Sequence, residues 1–216
     1  MAGGRIMCME REFDAEGILL SLKEITSDRF QNHEVKKLDD FFFRDEEFVK
    51  KFASAVGGSD HHRYPGGLLK HTFNVTYWTI RLSEMYNCDN RDIVILAAKL
   101  HDIGKIYEYG DKTDSTLRGD MEGHIVIGIS MIEEAFKNSR FDYSDDFRER
   151  IKGCIVQHHG EPCYGSPKSP NTQEAYILHH ADYLDAIMYK VESVKNRTEK
   201  GAWSEYSETI KTRIYR

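Results

Sequence analysis

The chain has 216 residues, with 36 acidic and 30 basic side chains and a formal charge of −6. That length suits one domain with a substantial core, and the acidic balance does not favour tight, sequence-independent binding to a nucleic-acid backbone. The four cysteines lie far apart without a C-x-x-C pair, which argues against a disulfide framework. No apolar run reaches the ~18 residues of a membrane span, and the N-terminus lacks a signal-peptide pattern. We therefore expect a cytoplasmic protein.

The first quarter of the chain is predicted to be helical scaffold. Residues 1 to about 12 are expected to fray, and a short helix follows from Asp14. A second helix is predicted from Glu34 to Val56, ended by the glycine pair at 57–58. The phenylalanines at 41–43 could belong to the core or to an interface, and the core is favoured.

A third helix follows the turn signal Pro65-Gly66-Gly67 and runs to about Tyr86. His71 lies on one apolar row of this helix with Val75 and Trp78, so its side chain should point inward. A lone inward histidine is more often a hydrogen-bonded core residue than a ligand. The other ligand candidates in the chain reverse that preference.

The central stretch, IVILAAKLHDIGK, spans residues 93–105. Asn90 or Asp92 can cap its helix, which is apolar nearly all round and is predicted to be buried. The run ends in His101-Asp102, and a charge is costly to bury unless it is paired or metal-bound. Adjacent residues are about 100° apart on a helix, so they reach one ion only near a helix end or over a broad cavity. The two Asp102 oxygens could also bridge two ions.

Two later segments add histidines in apolar settings. His124 is predicted to open a helix in which Gly128 indicates a close helix crossing. His158-His159 close a short apolar segment that begins at Ile151. Neutral imidazoles in such a last turn can face a cavity.

The last long helix is predicted to start near residues 171–174, with Glu174 as a capping residue. It carries Asp182 and Asp185, which are three residues apart and can share a side. His179 is a candidate partner behind the ligands. Trp203 and Tyr206 are expected to pack a C-terminal segment back on the body.

These elements predict an all-α fold, a single bundle of about seven to ten helices around a His/Asp metal site. We divide the chain into an N-terminal lead with a short helix, residues 1–30, and a helical domain, residues 31–216. The oligomeric state is not predicted, and no protein partner is evident.

The candidate ligands favour divalent-metal chemistry. Imidazole and carboxylate suit Mn, Fe, Co, Ni or Zn better than Ca, and a set without cysteine argues against a closed structural zinc site. Two ions about 3.5–4 Å apart can clamp both oxygens of a phosphoryl displacement and lower the pKa of bound water. Lys105 has the reach to meet phosphate charge that develops in the transition state. The alternative is an ordinary solvated lysine at a helix end.

The ordered series of ligand candidates resembles the HD superfamily of metal-dependent phosphohydrolases, in particular through HDIGK at 101–105. The segments HHRYPGGLLKHT, LAAKLHDIGKIYE and HHGEPCYGSPKSPNTQEAYILHHADYLDA extend the likeness. They resemble the catalytic domain of YhaM-type 3′→5′ exoribonucleases over roughly residues 30–215.

The resemblance implies specific roles. One ion would be held by four residues: His71, His101, Asp102 and Asp182. A second ion would share Asp102 and be completed by three histidines: His124, His158 and His159. Asp102 and Lys105 would be catalytic, with Lys105 on the scissile phosphate. Three residues would lie near the substrate: His62, Ser166 and Lys168. The cofactor would be one or two divalent ions, manganese first, with Fe, Co, Ni, Zn or Mg as alternatives.

The function expected first is a phosphodiesterase or 3′→5′ exonuclease on short RNA or DNA fragments. YhaM-type enzymes carry an N-terminal OB-fold, and this chain begins with a helical lead without interleaved aromatic and basic strands, so long RNA is not the expected substrate. The enzymatic alternative is a nucleotide phosphohydrolase, either a phosphomonoesterase or an alarmone hydrolase. A non-catalytic nucleotide-binding module is a second alternative, which the intact ligand series disfavours. Oxygenase chemistry on a di-iron site is a further one, and Lys105 argues against it.

Overall fold

The computed structural model describes residues 14–58, 61–110 and 114–216, and α-helices are the main secondary structure in these ranges. The expected fraying of the first twelve residues lies outside these ranges. Nine α-helices are present there: α1 Ala15–Ser27, α2 His33–Phe43, α3 Glu46–Ser54, α4 Gly67–Met85, α5 Arg91–Leu100, α6 Lys105–Glu108, α7 Leu117–Asn138, α8 Asp145–Gln157 and α9 Gln173–Asn196. A 3-10 turn and isolated β-bridges complete the described structure. The predicted all-α class is confirmed, and none of the helices described is long and apolar enough to cross a membrane.

Helix α5 forms the centre of the bundle, as its sequence predicts. Every residue from Ile93 to Leu100 is buried, and α4, α8 and α9 pack around it. The one cation in this run, Lys99, donates a hydrogen bond to Asp39 and lies over the ring of Phe43. Because the buried charge is paired, it can be accommodated in an otherwise apolar core.

Helix α1 packs on α4 and contributes Leu22 to the same hydrophobic core. The division of the chain at residue 30 stays a prediction. Phe42 and Phe43 are buried in the core as predicted, whereas Phe41 is 38% exposed.

The helix predicted from Glu34 to Val56 is wrong, because the chain forms two helices there. Helix α2 ends at Phe43, and α3 starts after Asp45, whose carboxylate accepts hydrogen bonds from the backbone N–H of Glu47 and Phe48. An aspartate followed by glutamates is a readable helix start. The apolar spacing of α2 continues into α3, so the sequence pattern alone does not reveal the helix start at Asp45.

Helix α9 begins at Gln173 as predicted, and Asn90 occupies the N-cap position of α5, but the side chains of Asn90, Asp92 and Glu174 do not make the predicted capping bonds. The side chain of Asn90 donates to Glu174 and does not cap α5, and Asp92 accepts from the backbone N–H of Asn32 at 2.7 Å. Glu174 is buried and also accepts from Arg150 at 3.0 Å, while Thr172 caps α9. These polar side chains join separate helices instead of ending their own.

Helix α7 starts at Leu117, earlier than predicted, but it is broken at Gly123, which has a φ of 70°. A regular helical segment therefore begins at His124, whose backbone N–H donates to the Glu108 carboxylate at 3.0 Å. Gly128 on α7 lies against Gly104, just before α6, so the predicted close crossing is between α7 and this segment. The crossing depends even more on Gly104 than on Gly128. A Cβ at Gly104 would stand 2.0 Å from the carbonyl oxygen of His124.

After α9, the chain forms a small hairpin from residue 201 to 216, with bridges between Trp203 and Tyr215 and between Ser207 and Thr212. Trp203 is 61% exposed and Tyr206 is 56% exposed. The expectation that these two rings pack the segment onto the body is therefore wrong. Arg216 makes the connection instead, donating to carbonyl oxygens at the end of α9.

Candidate metal centre

Four side-chain atoms from three helical regions converge at the end of α5. The Nε2 atom of His71, on α4, lies 3.2 Å from Nε2 of His101, 3.3 Å from Oδ2 of Asp102 and 3.1 Å from Oδ1 of Asp182, on α9. His101 Nε2 lies 3.3 Å from Asp102 Oδ2 and 3.8 Å from Asp182 Oδ1. Three of these residues are fully buried or nearly so, and the Asp182 side chain is 13% exposed.

A second group lies on the opposite side of the Asp102 carboxylate. Its other oxygen, Oδ1, is 3.5 Å from Nε2 of His124 and 3.6 Å from Nε2 of His158. His124 Nε2 is in turn 3.3 Å from Nε2 of His159. The structure thus brings together all seven predicted ligands, with one aspartate oxygen directed at each group.

The spacing within both groups fits metal ligands. Donor atoms bound about 2.0–2.2 Å from one ion, with bond angles of 90–110°, stand about 2.8–3.6 Å apart. Every distance given above lies within that range except the 3.8 Å between His101 Nε2 and Asp182 Oδ1. Buried polar atoms are normally hydrogen-bonded. Two buried atoms of the second group, Asp102 Oδ1 and His158 Nε2, have no hydrogen-bond partner. A bound cation would satisfy both atoms, so the donor set fits a divalent metal.

Contacts at Nδ1 hold the rings of four histidines so that Nε2 faces the centre: His71, His101, His124 and His158. His101 Nδ1 lies 2.8 Å from the carbonyl oxygen of Ala98, and His158 Nδ1 lies 2.6 Å from that of Ile155. A proton on each Nδ1, donated to the carbonyl, leaves Nε2 with a lone pair for an ion. Both contacts are to the residue three positions earlier, so the helix ends themselves set the tautomer.

Asp185 orients His71 from behind. Its Oδ2 lies 2.7 Å from Nδ1 of His71 and 3.0 Å from Nε2 of His62, and its Oδ1 accepts from Asn74 at 2.6 Å. Asp182 and Asp185 therefore lie on the same side of α9, as expected, and both reach His71 from that side. Asp182 faces the ligand group, and Asp185 supports a ligand.

Glu108 does the same for His124. Its Oε1 lies 3.2 Å from Nδ1 of His124 and accepts from the backbone N–H of that residue. His179, the predicted partner behind the ligands, lies with Nδ1 2.9 Å from the carbonyl oxygen of His158. Glu108 has no role that the sequence predicts, although it stands within the segment LAAKLHDIGKIYE.

Electrostatics prepare the groups to bind a cation. Burial alone would raise the pKa of Asp102, but Lys105 and His101 outweigh it and hold that pKa well below its usual range. Burial would likewise raise the pKa of Asp182, and its hydrogen bond to His71 lowers it instead. Burial, then the neighbouring His124, lowers the pKa of His159 to about 4. The centre therefore combines ionised carboxylates with a neutral imidazole at neutral pH.

Lys105 is not a solvated lysine at a helix end. It is 5% exposed, and its Nζ donates to Asp102 Oδ2 and to the carbonyl oxygen of Gly57, both at 2.5 Å. Burial would lower its pKa, but Asp102 outweighs burial and raises it. A permanent positive charge therefore stands against the shared carboxylate.

Asp182 of the first group and His124 and His159 of the second line an open cavity of about 420 Å³. Its wall includes Lys105, His61 and Lys190, and three tyrosines: Tyr109, Tyr164 and Tyr183. None of these tyrosines is predictable from the sequence, since nothing in its local pattern distinguishes it from a surface aromatic residue.

The three residues implied to lie near the substrate are placed elsewhere. His62 is 4% exposed behind His71, with its ring nitrogens 3.0 Å from Tyr64 and Asp185, and the cavity wall contains His61 in its place. Ser166 is buried and donates to the carbonyl oxygen of Val156. Lys168 lines a different surface cavity. Their substrate role stays a prediction that this geometry does not favour.

The chain is similar to known exoribonucleases. The 3′-5′ exoribonuclease YhaM of Bacillus velezensis is 29% identical over 174 residues, which are 77% of this chain and 55% of that protein. The YhaM protein of Listeria welshimeri is 33% identical over 147 residues, 67% of this chain and 46% of that one. The chain thus spans about half the length of the curated relatives it matches. No solved structure matches it.

A family model for the HD domain matches residues 68–187. That range covers more than half of the chain and contains all seven converging ligand candidates, from His71 to Asp182. The chain belongs to the HD domain family.

Proposed function

We propose that the chain is a metal-dependent phosphodiesterase that removes nucleotides from the 3′ ends of short single-stranded RNA or DNA. The feature that supports this function most directly is Asp102, whose two oxygens face two separate ligand groups. Relatives at 29–33% identity are named 3′-5′ exoribonucleases, which favours a phosphodiester over another phosphoester.

The ligand assignment is part of the proposal. His71, His101, Asp102 and Asp182 would hold one divalent ion, and His124, His158, His159 and Asp102 would hold another. Bound there, the ions would supply Lewis-acid charge to a phosphoryl group and a water of lowered pKa. Manganese is the first candidate, and Fe, Co, Ni, Zn and Mg are the others.

The remaining steps belong to the chain. Lys105 is positively charged, buried and fixed by two acceptors, so it can meet negative charge on the scissile phosphate without a change in its own position. Glu108 and Asp185 fix the ring orientation of His124 and His71. The cavity wall excludes bulk water on one side while its open face admits a strand end.

A nucleotide phosphohydrolase is the second candidate. The cavity volume of about 420 Å³ lies within the ~300–1,000 Å³ range of sites for single small ligands, so a free nucleotide also fits. The two candidates differ in their products. Only the phosphodiesterase shortens an oligonucleotide and releases mononucleotides.

The test combines elemental analysis of the purified protein with a manganese-supplemented assay on a 5′-labelled RNA of eight nucleotides. Stepwise shortening with close to two ions per chain is the expected result. Two ions with an intact oligonucleotide and hydrolysis of free nucleotides would favour the second candidate. Metal binding without turnover of either substrate class would leave a nucleotide-binding module.

The Lys105 assignment has its own test. Lys105→Ala should lower kcat about 10²–10³-fold, as removal of one preorganised transition-state donor does, with metal content unchanged. Lys51→Ala is a matched control, because Lys51 is a surface lysine paired with Glu47 at 2.7 Å. Loss of metal from Lys105→Ala would show instead that Lys105 supports the Asp102 carboxylate.

A further inference from the structure

One face of α9 connects the metal cavity with a second surface groove. Tyr183, Ala186 and Lys190 line the cavity, and Val194 and Arg197 line the groove. At 100° per residue these five positions fall within an arc of about 80° on the helix. A ligand that leaves the cavity along this face therefore reaches the groove without crossing the helix.

The groove holds about 670 Å³ and is built from the end of α9 and the C-terminal hairpin. Trp203 and Tyr206 are part of its wall, and both rings are more than half exposed. Two large aromatic rings that stay mostly exposed side by side in one groove point to a ligand. Bases stack on aromatic side chains of this kind in single-strand binding sites.

The hairpin holds these rings in a fixed position. Arg213 lies over the Trp203 ring at 5.5 Å, and Tyr215 packs beside it with ring centroids 5.5 Å apart. Ser204 is buried and pairs through its backbone N–H with Ile214 at 2.8 Å. Arg216 ties the hairpin to α9 through two carbonyl oxygens. Little ordering would be required when a base stacks there.

The charge of this region is opposite to that of the whole chain. Residues 197–216 carry five lysines and arginines against three glutamates, whereas the chain as a whole has a charge of −6. The groove wall itself holds one cation, Arg197, and two carboxylates, Glu199 and Glu205, while Arg213 lies over the Trp203 ring. Arg197 and Arg213 are thus the cations near the exposed aromatics that can meet a phosphate backbone.

We propose that single-stranded RNA lies along α9, with its 3′ end in the metal cavity and an upstream base stacked on Trp203. Lys190 and Arg197 would follow the backbone between the two positions. The direction of the strand rests on the proposed function, whereas contact of RNA with Trp203 does not depend on hydrolysis.

The length of α9 fixes how much RNA is needed. Tyr183 and Arg197 are 14 residues apart, which corresponds to about 21 Å along a helix at 1.5 Å per residue. A stacked strand that rises about 3.4 Å per nucleotide covers that distance with about six nucleotides. Oligomers of two or three nucleotides cannot fill the cavity and reach Trp203 together.

Fluorescence gives a direct test. The chain has two tryptophans, Trp78 and Trp203, and the Trp78→Phe variant leaves Trp203 as the only one. Oligo(U) of eight nucleotides with phosphorothioate linkages, which resist hydrolysis, added to the metal-loaded protein, should quench Trp203 fluorescence. A dinucleotide at equal nucleotide concentration should quench it far less. Absence of quenching while a labelled octamer binds, or absence of octamer binding, would overturn the proposal.

Steady-state kinetics separates this proposal from the proposed function. Trp203→Leu should lower kcat/KM for an octamer about 5- to 20-fold, near the low end expected for one lost base stack, and Trp203→Phe should restore most of it. Trp78→Leu is the matched control, since Trp78 is 40% exposed on α4, outside both cavities. Octamer hydrolysis unaffected by Trp203→Leu would refute the track and leave the exonuclease standing. Quenching of Trp203 without any hydrolysis would support the RNA path along α9 and refute the exonuclease function.

Discussion

Replacing Asp185 with asparagine tests whether the residues behind the ligands control metal binding. The substitution keeps the shape of the side chain but removes the negative charge that both His71 and His62 face. The amide oxygen of the new side chain can still accept from these rings, and Asn74 can turn its own amide to compensate. The variant should therefore fold and keep the arrangement of His71 while making its Nε2 a weaker donor.

The expected magnitude follows from the position of Asp185. Loss of a partner behind a metal-ligating histidine costs about 10- to 100-fold in metal affinity, which is about 1.4–2.8 kcal/mol. Asp185 contacts only the group of His71, so one of two binding steps should weaken. The other step, at the group of His124, should change little.

A manganese titration followed by calorimetry measures both steps. Asp185→Asn should show one weakened step, and its activity should recover at saturating manganese. Asp146→Asn is the control, because Asp146 is an exposed carboxylate that accepts from Arg150 at 2.8 Å. A folded Asp185→Asn protein with two unchanged affinities would refute the supporting role of Asp185.

Three other expectations follow from the same geometry. Asp102→Ala should abolish hydrolysis and weaken both metal steps while the far-ultraviolet circular dichroism stays helical; turnover by this variant would exclude the shared-carboxylate arrangement. Gly104→Ala should destabilise the fold by about 1–3 kcal/mol in urea unfolding, because its Cβ would stand 2.0 Å from the His124 carbonyl oxygen and the crossing would have to open. Burial would lower the pKa of His71, but its hydrogen bonds to three aspartates raise it well above 6.5, so metal must displace a proton and its affinity should rise with pH. Calorimetry at pH 7 in buffers of different ionisation enthalpy should detect that proton, and a proton count of zero would contradict the assignment.

The same shift affects the stability of the metal-free protein. A His71 pKa that is higher in the folded than in the unfolded chain contributes stability below about pH 6.5. This contribution is lost as the pH rises through the folded-state value. Bound metal replaces the proton, and the dependence on His71 then changes sign, because acid competes with the ion.

The convergence of the seven candidate ligands could be predicted from sequence because each one ends or interrupts an apolar helical run. His101-Asp102 at the end of a buried helix is the clearest instance, and helical periodicity alone places His71 inward. Their supports could not be predicted in the same way. Asp185 meets His62 across 123 positions and His71 across 114, and no local pattern encodes such pairings.

The misplaced helix boundaries have a related cause. Asp45 caps α3 although the apolar pattern continues across it, and Asn90 and Glu174 look like caps but bond to each other over 84 positions. A polar side chain beside a helix end can satisfy its own helix or another one. Only the packing of the bundle decides between them.

The ligand groups also have a consequence for how the fold is held together. His71 and Asp182 are separated by more than half of the chain. They lie on α4 and α9, and the other candidate ligands lie on or beside the helices between these two. An ion bound by both residues would act as a cross-link between distant parts of the chain. Unfolding would have to release the ion, so bound metal would stabilise the folded state. Loss of metal would then shorten the lifetime of the protein as well as remove its activity. The abundance of the chain in the cell would therefore follow the supply of its ion.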